Sequence, residues 1–247
     1  MRLYASLDKF ILDNNVCTYM KPHDYIICLV SYLSLCVFIV RTFSMCMIWL
    51  RGGSRSPELP LITPAPLARY VAELLTLLRL LKVNGWIWVG EWLFHASLLF
   101  IFMRHLRYVL APIPETVFNL QSFGIFAGYV SLFAIFYILL LKVVIMKDAY
   151  KNPYNLFLLA TLTIITTTGI LMRLRHTVDT MRVKYFVLGL VTFEPQPLPL
   201  DPFFLTHYIT SLILLCFIPS HIFAAPLTIA DAIRRERDLR RLLHEER

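Results

Sequence analysis

Four histidines lie inside long apolar stretches of this chain, where an ionisable side chain is costly and is a functional candidate by default. His95 and His105 are ten residues apart, and His207 and His221 are fourteen residues apart. In an α-helix these gaps correspond to rises of about 15 Å and about 21 Å, with each pair on one broad face. We therefore expect two helices that each present two imidazoles to a neighbouring element.

The relative direction of these helices decides which histidines meet. Three crossings separate the second apolar stretch from the fifth, so the two helices are antiparallel and pair His105 with His207 near the outer surface and His95 with His221 near the inner surface. Two imidazoles from opposite helices with a planar macrocycle between them are the ligation of a b-type haem. The pattern predicts two haems b, stacked across the membrane. One haem, or histidines that only bond to neighbouring helices, are the alternatives.

Other metal chemistry has less support in the sequence. A metal ion without a macrocycle needs ligands closer together, usually with a carboxylate or thiolate. There is no Cys-x-x-Cys-His motif for covalent haem attachment and no Cys-x-x-Cys spacing for zinc or an iron–sulfur cluster. We interpret the five cysteines as small apolar residues.

The elements that must position these residues are membrane helices. Apolar and aromatic residues make up 58% of the 247 residues and charged residues only 16%, against about 25% charged in soluble domains. A membrane helix needs about 20 mainly apolar residues. Five stretches qualify: Tyr25–Leu50, Trp86–Leu110, Phe118–Met146, Tyr154–Leu174 and Phe203–Ala230. The predicted fold class is an all-α integral membrane protein, a five-span helical bundle with two b-type haems between spans two and five.

The positive charges predict an orientation. The net charge of +8 is located between and after the apolar stretches, where topology and anionic lipid explain it and nucleic acid is not needed. Of the 24 Lys and Arg residues, 14 fall on the side of the C-terminus and 9 on the side of the N-terminus. We therefore expect a multi-pass protein of the cytoplasmic membrane with the N-terminus outside and the C-terminus in the cytoplasm.

Three regions follow from this arrangement. We expect residues 1–24 to be an extracytoplasmic amphipathic N-terminus that is not a removable signal peptide, and residues 25–230 to be the transmembrane domain. Residues 231–247 are expected to be a charged cytoplasmic tail that is solvated or binds a soluble partner. After a loop over Arg51–Pro66, the segment Leu67–Val83 is predicted to lie amphipathically in the interface. Its predicted solvent-facing side carries Arg69, Glu73, Arg79 and Lys82.

Charged side chains near the histidines are candidates to bind haem propionates. Arg104 and Arg107 flank His105, with snorkelling to lipid headgroups as the alternative, and Arg173 ends the fourth span on the same side. Arg41 lies deep in the first span, where we predict a propionate or a partner-subunit role. Glu91, one turn before His95, either orients that imidazole or marks the interface.

The sequence around these histidines resembles a known family. The run Gly90-Glu91-Trp92-Leu93-Phe94-His95, followed by Arg104-His105-Leu106-Arg107-Tyr108 and Pro112-Ile113-Pro114, is similar to the second span of cytochrome b subunits like the gamma subunit of respiratory nitrate reductase. The similarity is greatest to the membrane cytochrome of the Dsr complex of dissimilatory sulfur metabolism and more distant to the heterodisulfide reductase membrane subunit. One departure is that His221 directly follows Pro219-Ser220, which shortens the usual gap between the last two histidines.

The resemblance implies a five-span dihaem protein that exchanges electrons between the quinone pool and a cytoplasmic iron–sulfur subunit, with further membrane or extracytoplasmic redox subunits as possible partners. His95, His105, His207 and His221 are the implied axial ligands, two haem b groups the cofactors and quinone or quinol the substrate. Such a chain is an electron-transfer subunit of an oxidoreductase complex.

Residues near the predicted outer haem suggest a quinone pocket. We predict His176 and Asp179 as proton acceptors and Lys184 or Arg173 as donors to the quinone carbonyls, with structural or propionate roles as alternatives. Two other functions remain open, a non-redox membrane anchor and a transporter with a proton relay. No internal repeat supports the transporter.

Overall fold

The computed structural model describes residues 20–52, 64–145, 152–175 and 178–245, and every regular element within those ranges is helical. We number the α-helices α1 (Pro22–Gly52), α2 (Pro64–Thr76), α3 (Leu78–Val83), α4 (Gly85–His105), α5 (Glu115–Asn119), α6 (Gln121–Leu140), α7 (Pro153–Arg175), α8 (Thr180–Thr192) and α9 (Pro202–Glu245). A 3₁₀ turn over Leu106–Tyr108 extends α4, and a π-turn over Leu141–Ile145 extends α6.

Within the residues that the structure describes, five helices contain a stretch long and apolar enough to cross a membrane, in agreement with the five predicted spans. These stretches are Pro22–Ile48, Gly85–Tyr108, Ser122–Val143, Pro153–Arg175 and Pro202–Ile222. The structure therefore supports a multi-pass membrane protein.

Short polar side chains and prolines start the spans. The side chain of Asn84 accepts hydrogen bonds from the backbone N–H groups of Trp86 and Ile87 and begins α4. Asn152 caps Tyr154 in the same way, and Asp201 caps Phe204. Proline follows Asn152 and Asp201 directly, at the first helical position, where its missing N–H costs nothing. These caps fix where α4, α7 and α9 enter the bundle.

The spans pack as neighbouring pairs around two buried clusters. Helix α4 packs closely on α6, α9 packs on both α7 and α1, and α6 packs on α7. Phe94 of α4 and Ile135 and Ile138 of α6 form one cluster, and the fully buried Phe186 of α8 packs with Phe204 of α9 in the other. Most large apolar side chains on α1 and α6 face outward, as expected for helices in lipid.

The segment before α4 differs from its prediction. The predicted amphipathic stretch Leu67–Val83 is two helices, because Leu77 takes a left-handed conformation with a φ of 51° between α2 and α3. Glu73, predicted on the solvent-facing side, is buried with 9% exposure. It pairs there with Arg79, which neutralises the buried carboxylate. Of the predicted amphipathic N-terminus, residues 1–19 lie outside the described residues.

The last helix runs through the predicted domain boundary. Helix α9 continues without a break from Pro202 to Glu245, so the membrane stretch and most of residues 231–247 form one element. The division at residue 230 into a transmembrane domain and a tail stays a prediction.

Candidate functional site: two facing histidine pairs

The four histidines of α4 and α9 face each other as two separate pairs. His105 and His207 have ring centroids 6.3 Å apart and ring planes inclined by 6°. His95 and His221 have the same 6.3 Å separation with an inclination of 14°. We call these the outer pair and the inner pair, after the predicted orientation. The structure thus brings together the same partners that the antiparallel arrangement predicts, while their role as metal ligands stays a prediction.

Hydrogen bonds fix the orientation of three of the four imidazoles. Nδ1 of His95 lies 2.7 Å from the carbonyl oxygen of Glu91, and Nδ1 of His105 lies 2.7 Å from that of Ile101. Nδ1 of His207 lies 2.9 Å from the carbonyl oxygen of Ile165 on α7. Because a carbonyl can only accept, Nδ1 carries the proton in these rings and Nε2 keeps its lone pair. This is the tautomer that a metal ligand bound through Nε2 requires.

The spacing of each pair fits a macrocycle held between two axial ligands. A metal–nitrogen bond of about 2 Å on each side, with a ring centroid about 1.1 Å beyond each nitrogen, gives about 6 Å between centroids. Both pairs have this separation. In the described bundle, α4 and α9 do not pack closely on each other, although each packs tightly on other spans. The imidazoles therefore face each other across a slot between two separated helices.

A metal ion bound only by side chains fits less well. Within the described ranges, no group of three or more His, Cys, Asp or Glu side chains is close enough to hold a metal ion. Each histidine pair offers two ligands, which suits a group that brings its own four equatorial donors.

Cations gather around the outer pair. The positive charges of Arg104 and Arg107 act on His105, and Arg173 of α7 is close enough to repel Arg104. Arg107 is fixed by Tyr108, which accepts a hydrogen bond of 2.9 Å and places its ring 4.7 Å from the guanidinium carbon. Such a cluster favours an anionic group at this end of the slot.

Helix α8 brings further predicted residues to the same end. It packs on the 3₁₀ turn that directly follows His105. Burial and the positive charge of Arg107 lower the pKa of Lys184 on this helix. Asp179 caps α8 through the N–H of Met181 at 2.8 Å and lies 3.9 Å from Arg182. His176, the fourth predicted pocket residue, lies outside the described residues.

Arg41 contacts α9 close to His221, the histidine that this helix contributes to the inner pair. Its guanidinium donates to the carbonyl oxygen of Cys216 at 3.0 Å and to the hydroxyl of Ser220 at 2.9 Å. Tyr154 of α7 donates to the carbonyl oxygen of Phe217 at 2.8 Å. Since Pro219 lacks an N–H and disturbs the preceding turn, these two side chains hold α9 where it approaches His221. A propionate role for Arg41 stays a prediction.

Glu91 accepts a hydrogen bond from His95 through its backbone carbonyl and not through its carboxylate. The atom that accepts from His95 is the backbone carbonyl of Glu91, while its carboxylate lies 3.1 Å from Nζ of Lys142. Sequence reasoning counted Lys142 only as a topological charge. A lysine near the end of the third span was a sequence signal for a functional charge. The residue that Lys142 pairs with depends on how α4 and α6 pack.

Gly169 is a second residue that sequence reasoning did not assign to the site. A Cβ atom there would lie 3.3 Å from Cε1 of His207, so the glycine lets the imidazole lie directly against α7. It stands beside Thr168, whose hydroxyl is 3.3 Å from Nδ1 of His207.

Two relatives match part of this chain. It is 30% identical over 151 residues to a protein of Archaeoglobus profundus named Hdr-like menaquinol oxidoreductase cytochrome b-like subunit, an alignment that covers 54% of this chain and 45% of the relative. A protein of the same name from Archaeoglobus fulgidus is 29% identical over 154 residues, which cover 56% of this chain and 46% of the relative. The matched region thus spans less than half the length of either relative.

No known family model matches the chain, and no solved structure matches it. The assignment to the Dsr type or the nitrate reductase type stays a prediction. Together with the five spans, the similarity to the two Archaeoglobus proteins supports a membrane cytochrome b-like subunit.

Proposed function

We propose that this chain is a dihaem b cytochrome subunit that transfers electrons between the membrane quinone pool and a cytoplasmic iron–sulfur subunit of a larger redox complex. The observation that carries the proposal is the pairing of four imidazoles at 6.3 Å on α4 and α9. The name of the two relatives suggests menaquinol as the quinol. A Dsr-type complex of sulfur metabolism is our preferred setting, and a nitrate reductase gamma-type subunit is the alternative.

Each histidine pair would hold one haem iron through its Nε2 atoms. His105 and His207 are the proposed ligands of the outer haem, and His95 and His221 of the inner haem. A bound haem supplies one-electron chemistry. His95 and His105 are ten positions apart in α4, which corresponds to a rise of about 15 Å, so the two haems would lie one after the other across the membrane.

The protein's own contribution is orientation and charge. The carbonyl oxygens of Glu91, Ile101 and Ile165 hold three imidazoles with Nε2 free. The cationic cluster of Arg104, Arg107 and Arg173 would bind the propionates of the outer haem. Arg41 would act at the inner haem, by holding α9 and by offering a cation.

We place the quinone pocket at the outer end of the slot, beside α8. Lys184 and Arg173 would donate to the quinone carbonyls, and Asp179 and His176 would accept protons. The contact between α8 and the turn after His105 supports this position. In the predicted orientation, with the N-terminus outside and residues 231–247 in the cytoplasm, the inner haem would lie next to the iron–sulfur partner.

The decisive test is the amount of haem and iron per chain in the purified protein. We expect two haems b in the wild type, with a b-type band in the reduced-minus-oxidised spectrum, and one haem in His105→Ala and in His221→Ala. His23→Ala, which changes a histidine outside both pairs, is the matched control and should keep two. Retention of two haems in either pair variant refutes the ligand assignment, and a wild type without a b-type band favours a non-redox anchor.

A further inference from the structure

A partly buried ion pair lies beside the inner histidine pair and has no role in the electron path described above. Nζ of Lys142 is 3.1 Å from Oε1 of Glu91, and the two side chains are only 16% and 19% exposed. Two charges in the membrane-spanning part of a bundle are expensive unless they are matched. Their presence there calls for a function that a pair of apolar residues could not provide.

The lysine reaches this position from an irregular turn. Lys142 lies in the π-turn Leu141–Ile145 that follows α6, and such turns are frequent at functional sites because they change the direction of the side chains that follow. Close packing of α6 on α4 brings the ammonium group to Glu91. Gly90 allows this approach, since a Cβ atom there would lie 2.8 Å from side-chain atoms of Ile138 and Tyr137.

The ion pair acts on both inner imidazoles. Oε2 of Glu91 is 4.0 Å from Nδ1 of His95, the atom that bonds to the carbonyl oxygen of the same glutamate. The charges of Glu91 and Lys142 both act on His221 across the slot. The ion pair therefore places one negative and one positive charge beside the inner pair, and Arg41 adds a second cation at Ser220, next to His221.

The outer pair has different surroundings. The charged side chains that act on His105 are Arg104 and Arg107, and both are cations. The two sites thus share the same ligand geometry, but the surroundings of the inner pair include a carboxylate, that of Glu91, in addition to cations. Net charge near a haem is one of the factors that set its reduction potential.

We propose that Glu91 and Lys142 set the reduction potential of the inner haem in opposite directions, and this rests on the proposed function. A ferric haem with two neutral imidazoles carries one positive charge, which is lost when one electron converts the iron to the ferrous state. The carboxylate of Glu91 stabilises the oxidised form and lowers the potential, whereas the ammonium group of Lys142 stabilises the reduced form and raises it. Both act as tuning residues and neither binds the iron.

The test is a potentiometric titration of the purified holoprotein, followed by its b-type absorption. Glu91→Gln should raise the potential of the inner haem by about 59 mV, which corresponds to a tenfold change in the equilibrium constant of the one-electron reduction. Lys142→Gln should lower it by a similar amount. The potential of the outer haem should stay unchanged, and His105→Ala, which leaves only the inner haem, identifies which component has moved.

Two further variants keep the test decisive. Arg182→Gln removes a charge from the exposed pair with Asp179 and should move neither potential. The double variant Glu91→Gln/Lys142→Gln removes both charges, so no unpaired charge is left to prevent folding, and its inner potential should return close to the wild-type value. Single variants that shift in the same direction, or a double variant that shifts as far as either single one, overturn the inference. A wild type that binds no haem overturns the proposed function instead.

Discussion

The imidazole of His207 on α9 is tied to the backbone of α7, because its Nδ1 atom lies 2.9 Å from the carbonyl oxygen of Ile165. One turn further along α7, Gly169 lies under the same ring. The orientation of an outer histidine is thus set by a neighbouring helix and not by its own, whereas His95 and His105 bond to carbonyls of their own helix.

This contact makes Gly169 a sensitive position. Gly169→Leu should displace His207 and cause loss of the outer haem while the inner haem remains, because a first side-chain carbon would already lie 3.3 Å from Cε1 of the ring. Haem content per chain measures the effect. Gly128→Ala is the control, since its Cβ atom would meet Ile170 at an ordinary 3.8 Å. Two retained haems in Gly169→Leu would contradict the placement of His207.

Arg41 should matter for the inner haem. Arg41→Gln removes a charged donor from the Cys216 carbonyl and from Ser220, and hydrogen bonds of charged groups are worth about 1.5–3 kcal/mol. We expect a weakened hold on α9 near Pro219 and partial loss of the inner haem, measured by haem content and thermal stability. Tyr154→Phe, which removes a neutral donor to the Phe217 carbonyl, should have a smaller effect. Equal loss of both haems in Arg41→Gln would argue against a local role.

Gly90 should affect both sites at once. Gly90→Leu places atoms where Ile138 and Tyr137 already lie 2.8 Å from the position of a Cβ atom, and overpacking costs about 1–3 kcal/mol. Because α4 carries a histidine of each pair, we expect a lower melting temperature and loss of both haems together. Gly85→Ala, whose Cβ atom would be 3.8 Å from Leu81, should keep both. Loss of one haem alone would show that α4 moves less rigidly than expected.

Lys184 should lose its proton at a lower pH than an ordinary lysine, because burial and the charge of Arg107 lower its pKa. Its charge-assisted hydrogen bond to the proposed quinone carbonyl should therefore weaken as the pH rises through this lowered pKa. The pH dependence of Lys184 acylation, followed by mass spectrometry, measures the pKa directly. Arg107→Gln should raise the pKa, since it removes one of the two causes. An unchanged pKa in that variant would mean that Arg107 and Lys184 are further apart than the structure has them.

The orientation is a prediction from the distribution of Lys and Arg residues. Reporter domains fused after Arg247 should be active in the cytoplasm, and those fused in the loop between α4 and α6 should be active outside. A fusion in the segment between α1 and α2 provides the matched cytoplasmic control. The reverse pattern would exchange the sides that we assign to the inner and outer haems.

Much of the fold follows from the sequence alone. Long apolar stretches determine five spans because backbone groups in lipid must bond within a helix, and an odd number of crossings between spans two and five makes them antiparallel. These two facts decide that His105 meets His207 and His95 meets His221. The fourteen-residue interval from His207 to His221 keeps both histidines on one face of α9. The ring centroids of His221 and His95 are 6.3 Å apart in the structure.

The partners of the charged residues were decided by the tertiary structure. Hydropathy fixes that Arg41, Glu91 and Glu73 lie in or near apolar elements, but it does not fix how each helix is rotated, tilted or bent against its neighbour. Those rotations bring Arg41 to the Cys216 carbonyl, the Glu91 carboxylate to Lys142 and Glu73 to Arg79. The reason is physical: apolar periodicity is satisfied by any rotation that faces lipid or protein, whereas a buried charge accepts only the rotation that brings it to a partner.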